Sequence, residues 1–257
     1  MGVTVLRDVV YIVCLSSSSI IMFHATTHER LTDINVKGLR EPWDIAACEL
    51  TSHLYVIDYE YCIWRLSSAG LHLLTTVIKR EKRYWTKSSS DTFKPWKLSV
   101  TSSRVLVTSL DTNELMQLDA AGEQLRRVPL PDYMKDPHHA VESPSGSFVV
   151  AHYNTQLMHQ CQVSEVNTEG RVLRQFSGSL GWTHHIAIDS QGNIFVADYY
   201  KRRVLLLDAR LALRRVIIDE HQLTDRPYRL CYNEQSAQLL VGLHLGDVVS
   251  VFDVLER

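Results

Sequence analysis

An all-β fold built from one small sheet repeated around an axis is predicted by three observations. First, Trp182 to Asp208 holds three short apolar runs rich in β-formers, at 186–188, 194–197 and 204–207. They are divided by Asp189-Ser190-Gln191-Gly192 and by a polar, aromatic, basic turn, the pattern of three antiparallel strands. Second, the middle run, starting at Ile194, has counterparts at Val10, Leu54, Val105, Phe148 and Leu239, and successive positions lie 44, 51, 43, 46 and 45 residues apart. Third, each unit has room for about four strands joined by short turns, which at this period is the signature of propeller blades. The expectation is a six-bladed β-propeller of four-stranded antiparallel blades, at about 1–40, 41–93, 94–135, 136–181, 182–225 and 226–257.

The first blade is expected to begin almost at once, with strands at 2–6, 9–14, 20–24 and 31–36. The second follows Pro42, with strands at 45–48, 54–58, 62–66 and 71–78. Ser67-Ser68-Ala69-Gly70 joins its last two strands, and Asp119-Ala120-Ala121-Gly122 and Asn167-Thr168-Glu169-Gly170 occupy the same turn in blades three and four. Glycine supplies the positive φ such tight turns need. The 51-residue interval marks an insertion at 79–94, KREKRYWTKSSSDTFK, polar enough for a solvated loop. Its alternative reading is a partner-binding loop anchored by Tyr84 and Trp85. In blade four the run after His152 is longer than the matching turns, which places the third strand at Gln160–Val166. Blade six supplies strands at 228–232, 239–243 and 248–254 and then the sequence stops, so 23 strands are expected, with the last blade lacking its outer one. This implies either a fragment of a longer protein with upstream domains or a ring left open at one edge.

At 257 residues, 45% hydrophobic and 22% charged, the composition is that of a globular protein, and all-β units of this length commonly form one domain. A formal charge of −2 excludes a surface that tracks nucleic acid everywhere, so any basic site is local. No apolar run reaches the ~20 residues that span a bilayer, and the N-terminus lacks the order of a signal peptide. A cytoplasmic location without a membrane partner is therefore expected. Five cysteines, Cys14, Cys48, Cys62, Cys161 and Cys231, form no Cys-x-x-Cys pair and fall in or beside predicted strands, as reduced core residues do.

From the second blade onward each blade opens alike: Pro42-Trp43-Asp44-Ile45, Pro95-Trp96-Lys97-Leu98, Pro137-His138-His139-Ala140, Thr183-His184-His185-Ile186 and Pro227-Tyr228-Arg229-Leu230. Together with Gly192-Asn193-Ile194-Phe195-Val196-Ala197-Asp198 and Arg203-Val204-Leu205, this resembles the NHL repeat, most clearly in blades two and five. Blades one, three, four and six carry Cys14, Ser109, His152 and Leu243 where Asp198 stands. The resemblance implies a six-bladed propeller of the kind found as the C-terminal module of tripartite-motif proteins, where one face binds RNA or protein. The ligase domains of those proteins are absent from this sequence, so ligase activity is not assigned. Similar propellers also occur in peptidylglycine amidating lyase and streptogramin lyases, which use histidines and a bound metal near the central channel.

In an up-and-down blade the start of the first strand, the end of the second and the turn that follows share one rim. That rim gathers Trp43, Tyr59, Trp96, Lys97, His139, His185, Tyr199, Tyr200, Lys201, Arg202, Tyr228 and Arg229, the residue types an interaction surface uses. For Trp43, Trp96 and Tyr228 the competing role is packing between blades. His138, His152 and His184 share the rim, and three neutral imidazoles with an open position would suit zinc. No acidic outer partner for them is evident. Asp58 and Asp198 lie in opposite blades, too far apart to share a proton, and are expected to accept backbone N–H bonds at the ends of their strands. The doublets Arg126-Arg127 and Arg214-Arg215 fall in outer strands and read as edge protection. Lys201 and Arg202 could meet phosphate while a base stacks on Tyr199 or Tyr200. The function these residues predict is a non-enzymatic module offering one rim to a protein or single-stranded RNA, without a cofactor. The alternative is a zinc-dependent lyase or hydrolase at the channel mouth.

Overall fold

Six antiparallel sheets succeed one another along the chain in the computed structural model, which describes residues 1–67, 81–83, 93–157, 160–244 and 248–254, the backbone alone at 81–83. Blade one is β1 (Gly2–Leu6), β2 (Val9–Val13), β3 (Ser19–His24) and β4 (Ile34–Asn35). Blade two is β5 (Asp44–Cys48), β6 (His53–Ile57), β7 (Ile63–Ser67) and β8 (Glu81–Arg83), and blade three is β9 (Lys97–Thr101), β10 (Arg104–Thr108), β11 (Glu114–Leu118) and β12 (Gln124–Pro129). Blade four comprises β13 (Met134–Glu142), β14 (Phe148–Asn154), β15 (Gln160–Val166) and β16 (Val172–Gln175). Blade five comprises β17 (Thr183–Ile188), β18 (Ile194–Asp198), β19 (Arg203–Leu207) and β20 (Leu213–Ile218), and blade six β21 (Pro227–Asn233), β22 (Gln238–Leu243) and β23 (Val249–Asp253). Among the described residues this is 23 strands and no helix, with three strands in the last sheet.

Alternation along the second strands builds the core. Leu54 and Val56 of β6 pack toward blade one, with Tyr11, Val13 and Ile20. Tyr55 and Ile57, pointing the other way, pack toward blade three with Val105 and Val107. The same two-residue period sends Val149 and Val196 into the interface of blades four and five, and Phe195 and Ala197 into that of blades five and six. Val150 and Leu106 fill the interface of blades three and four. The ring closes where Val3, Val10 and Ile12 meet Leu240 of blade six. Each sheet is thus buried on both faces by its neighbours, so the strands read as near-continuous apolar runs rather than as alternating ones.

The turns follow the glycines. Gly122, Gly170 and Gly192 hold φ of 83°, 80° and 85°. A Cβ on Gly170 would overlap the carbonyl oxygen of Pro129 in the previous blade. Two expectations shift. The outer strand of blade one is only Ile34–Asn35 instead of 31–36, and β8, paired with β7 through Trp64 and Lys82, lies inside the stretch expected as an insertion. The expected strand at 71–78, Gly70, Tyr84 and Trp85 lie outside the described residues. Among the described residues no disulfide joins the five cysteines, four of which are buried, and burial pushes Cys161 and Cys231 up to about 11, which leaves them protonated and inert.

Candidate functional site

The openings of the blades stack two layers of side chains at one mouth of the central channel. The outer layer holds Trp43, Trp96, His138, His184 and Tyr228, one from each of blades two to six: Trp43 and Trp96 just before the innermost strand, His184 and Tyr228 second in it, and His138 at the register shift within β13. Trp43 and Trp96 have ring centroids 5.4 Å apart, His138 and His184 5.6 Å, and His184 and Tyr228 4.6 Å. Further rings extend this layer outward: Tyr59 and Tyr61 lie against Trp43, and Trp182 touches His138, His184, Tyr153 and Tyr200. Tyr199 sits among His184, Tyr200, Tyr228 and His244.

One residue further in, the next position of each blade lines the channel: Gly2, Asp44, Lys97, His139, His185 and Arg229, the first three opposite the last residue of their second strands, Val13, Ile57 and Thr108. Asp44, Lys97, His139, His185 and Arg229 are all buried. Three of them follow one rule, in which the side chain accepts the backbone N–H of the innermost strand in the next blade. Asp44 Oδ2 accepts from Leu98 at 2.7 Å, His139 Nδ1 from Ile186 at 3.4 Å and His185 Nδ1 from Leu230 at 3.3 Å. His139 Nε2–H also donates to the Leu98 carbonyl, and the two imidazoles stack with centroids 3.7 Å apart. Burial lowers both histidines, so both are neutral at pH 7.

Arg229 bonds instead to the carbonyls of Tyr228 and Trp43 and lies 3.1 Å from Asp44 Oδ1, an ion pair by distance that is not aligned as a hydrogen bond. Burial raises the Asp44 carboxyl and lowers the Arg229 guanidinium, and the attraction between them opposes both shifts. Lys97 can accept nothing, having three donors and no lone pair. It is 2% exposed, makes no hydrogen bond or ion pair among the described residues, and holds its ammonium 5.0 Å from the Trp96 ring and 5.7 Å from the Tyr228 ring.

The residues expected on the rim therefore divide. Lys97, His139, His185 and Arg229 lie inside the channel, because the position after the aromatic opening belongs to the innermost strand. Tyr199 is 6% exposed, whereas Tyr59 and Tyr200 stand out at 62% and 59%. The Lys201 ammonium donates to the carbonyl and hydroxyl of Ser179, and Arg202 to the carbonyl of Leu223. Trp182 and Arg226 were not among the candidates. They occupy the same place, ahead of the aromatic column, and no aromatic repeats there from blade to blade. Arg226 nonetheless covers the rings of Tyr199 and Tyr200 at 5.1 and 5.5 Å.

Of the three histidines considered for zinc, His138 and His184 are in ring contact, and His152 is engaged within its own sheet. His152 Nδ1–H donates to the Tyr153 carbonyl, so Nε2 carries the lone pair and takes a hydrogen from Ser164 Oγ at 2.8 Å. Its basic nitrogen faces Ser164 within its own sheet. Among the described residues no group of three or more His, Cys, Asp or Glu side chains is placed to hold a metal ion. Asp58 accepts the N–H groups of Glu60 and Cys62 and the indole N–H of Trp64, as its turn position predicts. Asp198 instead accepts from Gly181 and pairs with Arg203 at 2.9 Å.

No family model and no curated protein matches the chain. Solved structures do. A chain of Kuenenia stuttgartiensis hydrazine synthase superposes with a TM-score of 0.66 at 13% identity, over 98% of this chain and 95% of that one. A Bacteroides caccae protein of unknown function gives 0.65 at 13%, over 91% and 81%. A chain of the nidogen/laminin complex gives 0.68 at 17%, over 90% and 83%. At these identities the likeness is one of fold, a six-bladed propeller.

Proposed function

We propose that the chain is a non-enzymatic binding module that receives a protein partner on the aromatic rim of the channel mouth. The observation that carries this reading is the pair of exposed tyrosines, Tyr59 and Tyr200, raised on a packed network of rings that fixes their orientation. Rigid aromatics on a prepared base lose little conformational entropy on binding and are favoured hot spots. The basic groups nearby point away from RNA as the partner, since Lys201 and Arg202 are tied to carbonyls of the propeller and Arg226 is stacked on tyrosines. The NHL-like openings agree with a binding role, and a propeller of this fold occurs in a complex with another protein in the nidogen/laminin structure.

Selection of binders from a random peptide library on the immobilised protein tests this. Tyr200→Ala and Tyr59→Ala are expected to weaken the selected peptides by about 10-fold or more without moving the unfolding midpoint. Tyr199→Ala should do the reverse, lowering stability because its ring is packed in the network. Arg214→Ala on the outer edge should do neither. If the two exposed tyrosines can be removed without loss, the rim is not the binding face. Salt-dependent binding of single-stranded oligouridine with no peptide binding would move the reading to RNA.

A further inference from the structure

We infer that Lys97 forms the floor of a carboxylate seat at the channel mouth, filled by an Asp or Glu side chain of the bound partner. The inference rests on the protein-binding reading and names the chemistry that partner would carry. In the channel-lining layer Asp44, His139 and His185 each accept the amide of the next blade, and Arg229 reaches a carboxylate and two carbonyls. Lys97 departs from this scheme: among the described residues its ammonium has only the ring faces of Trp96 and Tyr228 and no hydrogen bond or ion pair, although the residue is 2% exposed. Ring faces return only part of what an ammonium loses on leaving water, and such local inconsistencies concentrate at functional positions.

The surroundings favour an anion. Trp96 and Tyr228 wall the ammonium with ring faces, and both are only partly buried, so the walls of the seat reach solvent. On the ring that faces the ammonium, Trp96 Nε1 is buried without a hydrogen-bond partner. An indole donor without an acceptor beside a cation without an anion describes a site completed by an acceptor from outside. Charge selects the kind. The side chains of the layer carry Lys97 and Arg229 against Asp44, with the two stacked histidines neutral, which leaves one positive charge. A carboxylate balances it, whereas a phosphate dianion would leave an excess negative charge in a desolvated place.

The test uses peptides acetylated and amidated at their termini, selected from a random library on the wild-type chain, so that any carboxylate comes from a side chain. The selected binder is expected to contain Asp or Glu, and replacing that residue by its amide should weaken binding at least about 10-fold. On Lys97→Met the acid and amide peptides should bind equally, and on Lys97→Arg the preference should return. Equal binding of acid and amide by the wild type, or a preference that survives in Lys97→Met, would overturn the seat while leaving the rim intact. Loss of all peptide binding in Tyr200→Ala together with a preserved acid preference in other rim variants keeps the two readings separable. Lys97→Met should also raise the unfolding midpoint, since it removes a buried unpaired charge, and a fall would assign Lys97 a structural role and overturn the proposal. Should no peptide be selected, sodium acetate titrated against the 13Cε signal of Lys97 decides it. A saturable shift not reproduced by sodium chloride supports the seat, and no shift removes it.

Discussion

Lowering the pH from about 7.5 to about 5 is expected to reduce the unfolding free energy by ~4–6 kcal/mol, a large share of the ~5–15 kcal/mol typical of a folded domain. Burial lowers His138 to about 4, with the charge of His152 adding to the effect. Burial also lowers His152 to about 4, and lowers His184 to about 3 with help from His138 and His244. The unfolded chain takes up these protons near the ordinary value of 6.5, while the folded chain refuses them until much lower pH. Groups depressed in this way contribute stability that is complete above 6.5 and is lost as pH falls toward 4. At pH 5 the loss is about 2 kcal/mol for each imidazole, with His184 weighted least because it is partly exposed. The stacked pair His139 and His185 acts in the same direction. Urea denaturation at a series of pH values measures the slope, and the midpoint should fall steeply below pH 6.5. A curve that is flat from pH 7.5 to 5 would mean that these rings are protonated in the folded state and that their burial is not as described.

How much of this was legible in the sequence depends on whether the signal was local. The second strands were, because their two-residue alternation must serve two blade interfaces at once. Leu54 and Val56 turn one way, Tyr55 and Ile57 the other, and all four have to be apolar. The Asx-type turns were legible for the same reason, since Asp119, Asn167 and Asp189 each bond amides two to four residues on. The rim was legible only as a set of residues. Which of two adjacent positions faces the partner and which faces the channel is decided by the innermost strand, so Trp96 and Lys97 read alike in sequence and differ in depth. His152 looked like a free imidazole because Ser164, which holds its lone pair, lies in the neighbouring strand. The contact of Asp44 with Arg229 joins residues from opposite ends of the chain, and nothing in either neighbourhood announces it.

Asp44→Ala is expected to destabilise the protein by ~3–5 kcal/mol, the cost of leaving one member of a buried ion pair without its partner. The Arg229 guanidinium cannot shed its charge, and it would keep only the carbonyls of Tyr228 and Trp43. The Leu98 amide would lose its acceptor as well. The pair sits where blade one contributes Gly2, whose missing side chain leaves the sector open. A Cβ there would come 3.1 Å from Asp44 Cα, so Arg229 reaches from blade six past blade one to blade two. The contact thus ties the two neighbours of the first blade together at the place where the ring closes. Replacing both charges, as in Asp44→Leu with Arg229→Met, should recover most of the loss, because a buried pair exchanged for apolar groups of similar size is near neutral. Asp44→Asn should fall between, since its amide oxygen can still accept from Leu98 but leaves the guanidinium unpaired. Urea midpoints of the single and double variants give the coupling directly. If Asp44→Ala costs less than about 1 kcal/mol, or the double variant is no better than the single ones, the pair does not fasten the ring, and closure depends on the apolar packing of Val3, Val10 and Ile12 against Leu240 alone.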